Sequence, residues 1–173
     1  MIIQTFLSLI KINIDDYTIS GERKLNSRKQ SKIKKIRGIV EPDSDENITK
    51  FIRGNLDTMI EMMESGNITN VDVQDKTTKY TALRVKTFYG DIADMEWLLK
   101  KKANVDLQGS DGMSAIFDAI DSDFNDFEKV ELLLEYKPNL NIISNSGDTP
   151  LTYAIKSKKN KIISILEKSN EII

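Results

Sequence analysis

Apolar residues at helical spacing recur along the C-terminal two thirds of the chain in pairs of short stretches, each pair bounded by turn residues. Leu151, Ala154 and Ile155 share one helical face, and Ile162, Ile163, Ile165 and Leu166 form a second apolar stretch just after them. Ile116, Ala119 and Ile120 occupy the same places one pair earlier, followed by "VELLLEYKPNLN" (130–141). Before that, Leu83 stands at the matching position and "MEWLLKKKANVD" (95–106) supplies the second stretch. Each first stretch opens on a hydroxyl, at Thr81, Ser114 and Thr149, which predicts a helix N-cap. Pro150 suits the first helical position because its missing N–H has no intrahelical partner there. Gly112 and Gly147, each two residues before a cap, predict tight turns.

The caps lie 33 and 35 residues apart. A period near that length, built from a turn and two helices, predicts a solenoid in which each unit buries its apolar face against its neighbours. The segments "GDTPLT" (147–152), "YGDIADMEWLLKKKANVD" (89–106) and "ELLLEYKPNLN" (131–141) closely resemble the ankyrin repeat family. An earlier, incomplete copy is visible in "GNLDTMIEMMESGNITNVDVQD" (54–75), with Gly54, Met59, Met62, Met63 and Gly66 at the expected places. The resemblance covers about residues 46–168 and implies a mainly α fold: a solenoid of about four helix-turn-helix units at 46–75, 76–108, 109–143 and 144–173, with the first and last partial or capping.

Several positions depart from the family pattern. The motif histidine is replaced by Arg84, Phe117 and Thr152, so the Thr–His hydrogen bond that the resemblance implies is absent. Lys86 stands where the family has a small buried residue, so its stem must snorkel or its helix must tilt. A two-residue insertion falls in "DSDFND" (121–126), between the two helices of one unit.

Residues 1–45 do not fit the repeat. Ile10, Ile12 and Ile14 alternate as in a strand, and Ile33, Ile36 and Val40 recur at helical spacing on a basic background. This segment is expected to cap the first unit, whose apolar face would otherwise be open. Eight Lys/Arg lie between Arg23 and Arg37 with no acid among them. An alternative function follows: binding of nucleic acid or anionic membrane through this basic segment, with the repeats regulatory. No aromatic residue interleaves with the basic ones, so nucleic acid is the less favoured partner.

Composition narrows the chemistry. The 173 residues include no cysteine and no histidine, with 25 basic and 27 acidic side chains. Disulfides, thiolate nucleophiles, histidine-based triads and the usual zinc sites are therefore excluded. The apolar start "MIIQTFLSLI" lacks a basic lead and a cleavage site and is too short to span a bilayer, so no transmembrane segment and a cytoplasmic location (host cytosol for a secreted effector) are expected. "DSDFNDFEKVEL" (121–132) superficially resembles a calcium loop, but its sixth residue is Asp126 rather than Gly and its twelfth is Leu132 rather than Glu. No Gly-rich phosphate loop occurs. No catalytic residue, metal or cofactor is expected.

The resemblance implies a non-catalytic protein-binding module, probing a partner with the concave side made of turn tips and first-helix ends. Carried onto this sequence, the partner-binding residues are Thr77, Tyr80, Phe88, Tyr89, Asp111, Met113, Asp121, Asp123, Phe124, Asp148 and Lys156. The aromatic ones are typical hot-spot types. Phe88 either faces the partner or packs on the inserted loop that carries Phe124. Six acids and no base lie between Asp111 and Glu128, which suits a partner with a basic surface. The expected partner is another protein, bound by a monomer. Effectors, inhibitors and immunity proteins are the roles that the resemblance implies for so small a module.

Overall fold

The computed structural model describes residues 43–170. Eight helices follow one another there: α1 Asp45–Arg53, α2 Leu56–Glu64, α3 Ala82–Tyr89, α4 Ile92–Lys100, α5 Ala115–Asp121, α6 Asp126–Glu135, α7 Pro150–Lys156 and α8 Asn160–Asn170. No strand occurs among the described residues. The predicted strand near Ile12, the cap and the basic run at 23–37 lie outside them.

The helices form four antiparallel pairs. The first helices α1, α3, α5 and α7 pack on one another in order, and α4, α6 and α8 do the same in a second layer. The first pair has both of its helices: α1 buries Phe51 and Ile52, and α2 buries Met59 and Met62. One continuous core runs through the stack, from Phe51 through Leu83, Leu98, Ile116 and Leu133 to Leu166. Burying each such side chain stabilises the fold by about 1.5–3 kcal/mol.

The caps work as the sequence predicts at Thr81 and Thr149, whose side chains accept from the N–H of Arg84 and Thr152. Thr152 reciprocates by accepting from the Thr149 N–H, completing a capping box. Thus the residue standing for the family histidine in the last unit still serves the helix start. Ser114 differs: it holds the cap position but its buried hydroxyl makes no capping bond.

Two ladders tie unit to unit. In "NVD" at 70–72 and 104–106, the Asn side chain closes a local turn by accepting from the N–H two residues on. The Asp then reaches into the next unit: Asp72 accepts from the Asn104 N–H and Asp106 from the Asn139 N–H, both at 2.9 Å. The second ladder satisfies carbonyls at the ends of the first helices. Gly54 O accepts from Lys86 Nζ, Phe88 O from Ser122 Oγ at 3.2 Å, and Ser122 O from Lys159 Nζ at 3.5 Å. Cations and donors are favoured at these negative helix ends.

Lys86 therefore does not snorkel to water. It is buried, bonded to Gly54 O, and lies 3.6 Å from Asp94. Ile155 also differs from its expected place on the core face: it is 52% exposed, whereas the matching Ile120 is fully buried. Helix α7 packs on α5, and no further first helix covers its other side among the described residues.

Candidate functional site

The side of the solenoid formed by turn tips and first-helix ends carries a groove of about 990 Å³. It runs from the α1–α2 junction, with Arg53, across the second unit to Phe124 and Asn125 of the inserted loop. Tyr80, Val85 and Tyr89 form its apolar wall.

The inserted loop owes its position to Ser122. This buried hydroxyl donates to Phe88 O, and Lys129 Nζ approaches it at 2.9 Å. Burial pushes the Lys129 amine below its ordinary value. Asn125, in the left-handed region at φ 52°, then turns the chain into α6. The loop between these points holds Phe124 out in solvent, 79% exposed, and Tyr89 is 82% exposed. The half-buried Phe88 ring meets the Tyr89 ring edge-on, with centroids 4.5 Å apart. It is the Phe88 carbonyl, through Ser122, that binds the inserted loop.

Sharing Tyr80 with the groove, an ion cluster joins the second and third units. Arg84 is 1% exposed and donates to Asp118 from Nε at 2.6 Å and from Nη2 at 2.9 Å. It also donates to Asp111 from Nη1 at 2.8 Å and from Nη2 at 3.1 Å. The Tyr80 hydroxyl donates to Asp111 at 2.7 Å, and its ring covers the guanidinium at 4.1 Å. One cation thus serves two carboxylates. Burial raises the Asp118 carboxyl to about 6 despite Arg84, and the neighbouring Asp111 and Asp121 charges add to the rise. Burial also pushes Asp111 up, but Arg84, the Met113 N–H and the Tyr80 hydroxyl outweigh it and hold Asp111 down to about 2.

The eleven candidate residues divide accordingly. Tyr80 and Asp111 belong to the Arg84 cluster, with their polar atoms engaged inside the protein. Asp148 is buried and paired with Lys156 at 2.6 Å, which lowers its carboxyl below the ordinary value. Met113 and Phe88 are half-buried. Thr77, Tyr89, Asp121, Asp123, Phe124 and Lys156 are exposed. Of these candidates, the groove brings together Tyr80, Tyr89 and Phe124. The six-acid run is less open than its sequence suggests, because Asp111 and Asp118 hold Arg84 and Asp126 holds Lys159 at 2.8 Å.

Sequence reasoning missed the Arg84–Asp118 pair. Its signal was present: an arginine replaces the motif histidine, and an aspartate stands 34 residues on, in the next unit's first helix. Among the described residues, no group of acids is arranged to hold a metal ion, and no helix is long and apolar enough to cross a membrane.

No curated protein matches the chain. The family model for ankyrin repeats, in three copies, matches residues 85–172, just over half of the chain. Ankyrin repeats are generally protein–protein interaction modules and typically non-catalytic. The stacked helix pairs, the capped first helices and this match together place the chain in the ankyrin repeat family.

Proposed function

We propose that this chain is a non-catalytic module that docks one partner protein on the groove face, and acts by occupying that partner, as effectors, inhibitors and immunity proteins do. The observation that carries the reading is the pair Tyr89 and Phe124. Two large aromatic side chains stand about four fifths exposed beside one groove. Leaving such rings in water forgoes roughly 1.5–3 kcal/mol of burial each, and no internal contact requires Phe124 to be aromatic. Aromatic residues at a concave rim are the residue types that dominate binding energy in protein interfaces.

The ionic pairs deeper in the groove face support a rigid platform rather than a reactive one. Arg84, Asp111 and Asp118 satisfy one another beside the groove, and Lys86, which lines it, is bonded to Gly54 O. A cytoplasmic setting, or the cytosol of a host cell, fits a chain without cysteine.

The test is photo-crosslinking from position 89 or 124 in the source cell, with position 131 on the exposed side of α6 as control. One protein captured from 89 and 124 and not from 131, and lost in the Tyr89→Ala/Phe124→Ala chain, is the expected result. Equal capture from all three positions would move the docking face elsewhere.

A further inference from the structure

The aromatic end of the groove has a charge character that the other end lacks. At the first unit, the groove is lined by Arg53. Where the second unit meets the inserted loop of the third, Tyr89 and Phe124 are accompanied by Asp91, which lines the groove, and by Asp121 and Asp123 of the inserted loop. Asp91, Asp121 and Asp123 are exposed and, among the described residues, form no salt bridge, in contrast to Asp111, Asp118 and Asp126; Asp91 also caps α4 by accepting from the Asp94 N–H. The Ser122–Phe88 hydrogen bond holds the two loops that carry these residues side by side. The arrangement is therefore two aromatic faces set beside three exposed carboxylates that no salt bridge neutralises among the described residues.

Resting on the docking reading above, we infer that this end of the groove receives an arginine side chain from a basic segment of the partner protein. A guanidinium is planar and weakly hydrated. It can stack on Tyr89 or Phe124 while its N–H groups meet a carboxylate in bidentate fashion. A lysine ammonium is a compact, strongly hydrated point charge and loses the stacking and the fork. Phosphate-bearing partners are repelled by the same carboxylates. The inside of the protein already shows the chemistry in miniature, with Arg84 under the Tyr80 ring and against two aspartates.

The probe is a displayed library of random dodecapeptides selected on the full chain. The expected consensus holds at least one arginine beside apolar residues. A synthetic consensus peptide should bind at least about 5-fold more weakly when its arginine becomes lysine. It should bind at least about 10-fold more weakly to the Tyr89→Ala/Phe124→Ala chain and to the Asp91→Asn/Asp123→Asn chain. All four positions are exposed, and thermal unfolding of each variant confirms that it is folded. A consensus without a cation that still depends on Tyr89 and Phe124 overturns the arginine assignment and leaves the docking reading standing. A consensus indifferent to all four substitutions, or no enrichment at all, overturns both.

Discussion

Arg84 of the second unit and Asp118 of the third meet in a two-point contact, Nε to Oδ2 at 2.6 Å and Nη2 to Oδ1 at 2.9 Å, with the arginine almost wholly out of solvent. The pair stands where neighbouring units join, so it couples the stability of one unit to the presence of the next. A buried guanidinium is tolerable only because both carboxylates and the Tyr80 ring compensate its lost hydration.

Removing the cation alone leaves two carboxylates facing each other without a counter-charge, with Asp111 still held by the Tyr80 hydroxyl and the Met113 N–H. Arg84→Met should therefore destabilise the chain by about 3–5 kcal/mol at neutral pH. Urea unfolding followed by circular dichroism measures this. A loss below about 1 kcal/mol would mean that water replaces the guanidinium freely.

The same cluster sets a pH dependence. Asp118 has its carboxyl raised to about 6, well above the ordinary aspartate value. The folded state binds that proton more tightly than the unfolded chain does. Its contribution is therefore fully present below about pH 4 and is lost as pH rises through 6. The change is on the order of 2–3 kcal/mol. Asp111, held down to about 2, works oppositely and loses its contribution only as pH falls below about 4. Urea midpoints at pH 4.5, 5.5 and 7 should fall across the series in the native chain and stay level in Asp118→Asn. Parallel profiles in the two chains would assign the slope to another group.

Gly109 is required by close approach rather than by its backbone angle. A Cβ there would lie 2.1 Å from Arg84 Nη1 and 2.8 Å from the Tyr80 ring. Gly109→Ala should destabilise by about 1–3 kcal/mol, as overpacking does, and should also disturb Tyr80. Tyrosine fluorescence together with thermal unfolding reports both effects. A native-like variant would show that the Arg84 fork can shift without loss.

Lys102 and Lys137 follow the second helices at φ 66° and 52°, the place that Gly66 takes at φ 73°. A side chain in this left-handed region is strained, and glycine relieves it at the expense of extra freedom in the unfolded chain. Lys102→Gly and Lys137→Gly should each stabilise by about 0.5–1 kcal/mol. The effects should add, since the positions lie in different units. Unchanged or lowered unfolding midpoints would show that the lysine stems contribute packing that the strain argument omits.

Much of the architecture could be read from local order. The hydroxyl at each helix start, the paired apolar stretches and the period near 33 residues are short-range signals, and each acts within a few residues of itself. They determined the helix pairs, the caps at Thr81 and Thr149 and the stacking direction of the core. The Asn-Val-Asp triplets were legible as turns, but their reach into the following unit was not. Only the tertiary structure decided which charges are spent. Arg84 looked like a lost histidine and Asp118 like one of six surface acids, yet they meet across 34 residues. Tyr80 and Asp111 stand among the expected partner contacts, and the structure adds that their polar atoms are held inside the same cluster. Burial and ion pairing depend on what the neighbouring unit brings within a few ångströms, and a one-dimensional pattern does not carry that distance. What stays exposed after those pairings, Tyr89 and Phe124 beside aspartates that form no salt bridge among the described residues, is likewise a remainder that only the folded chain defines.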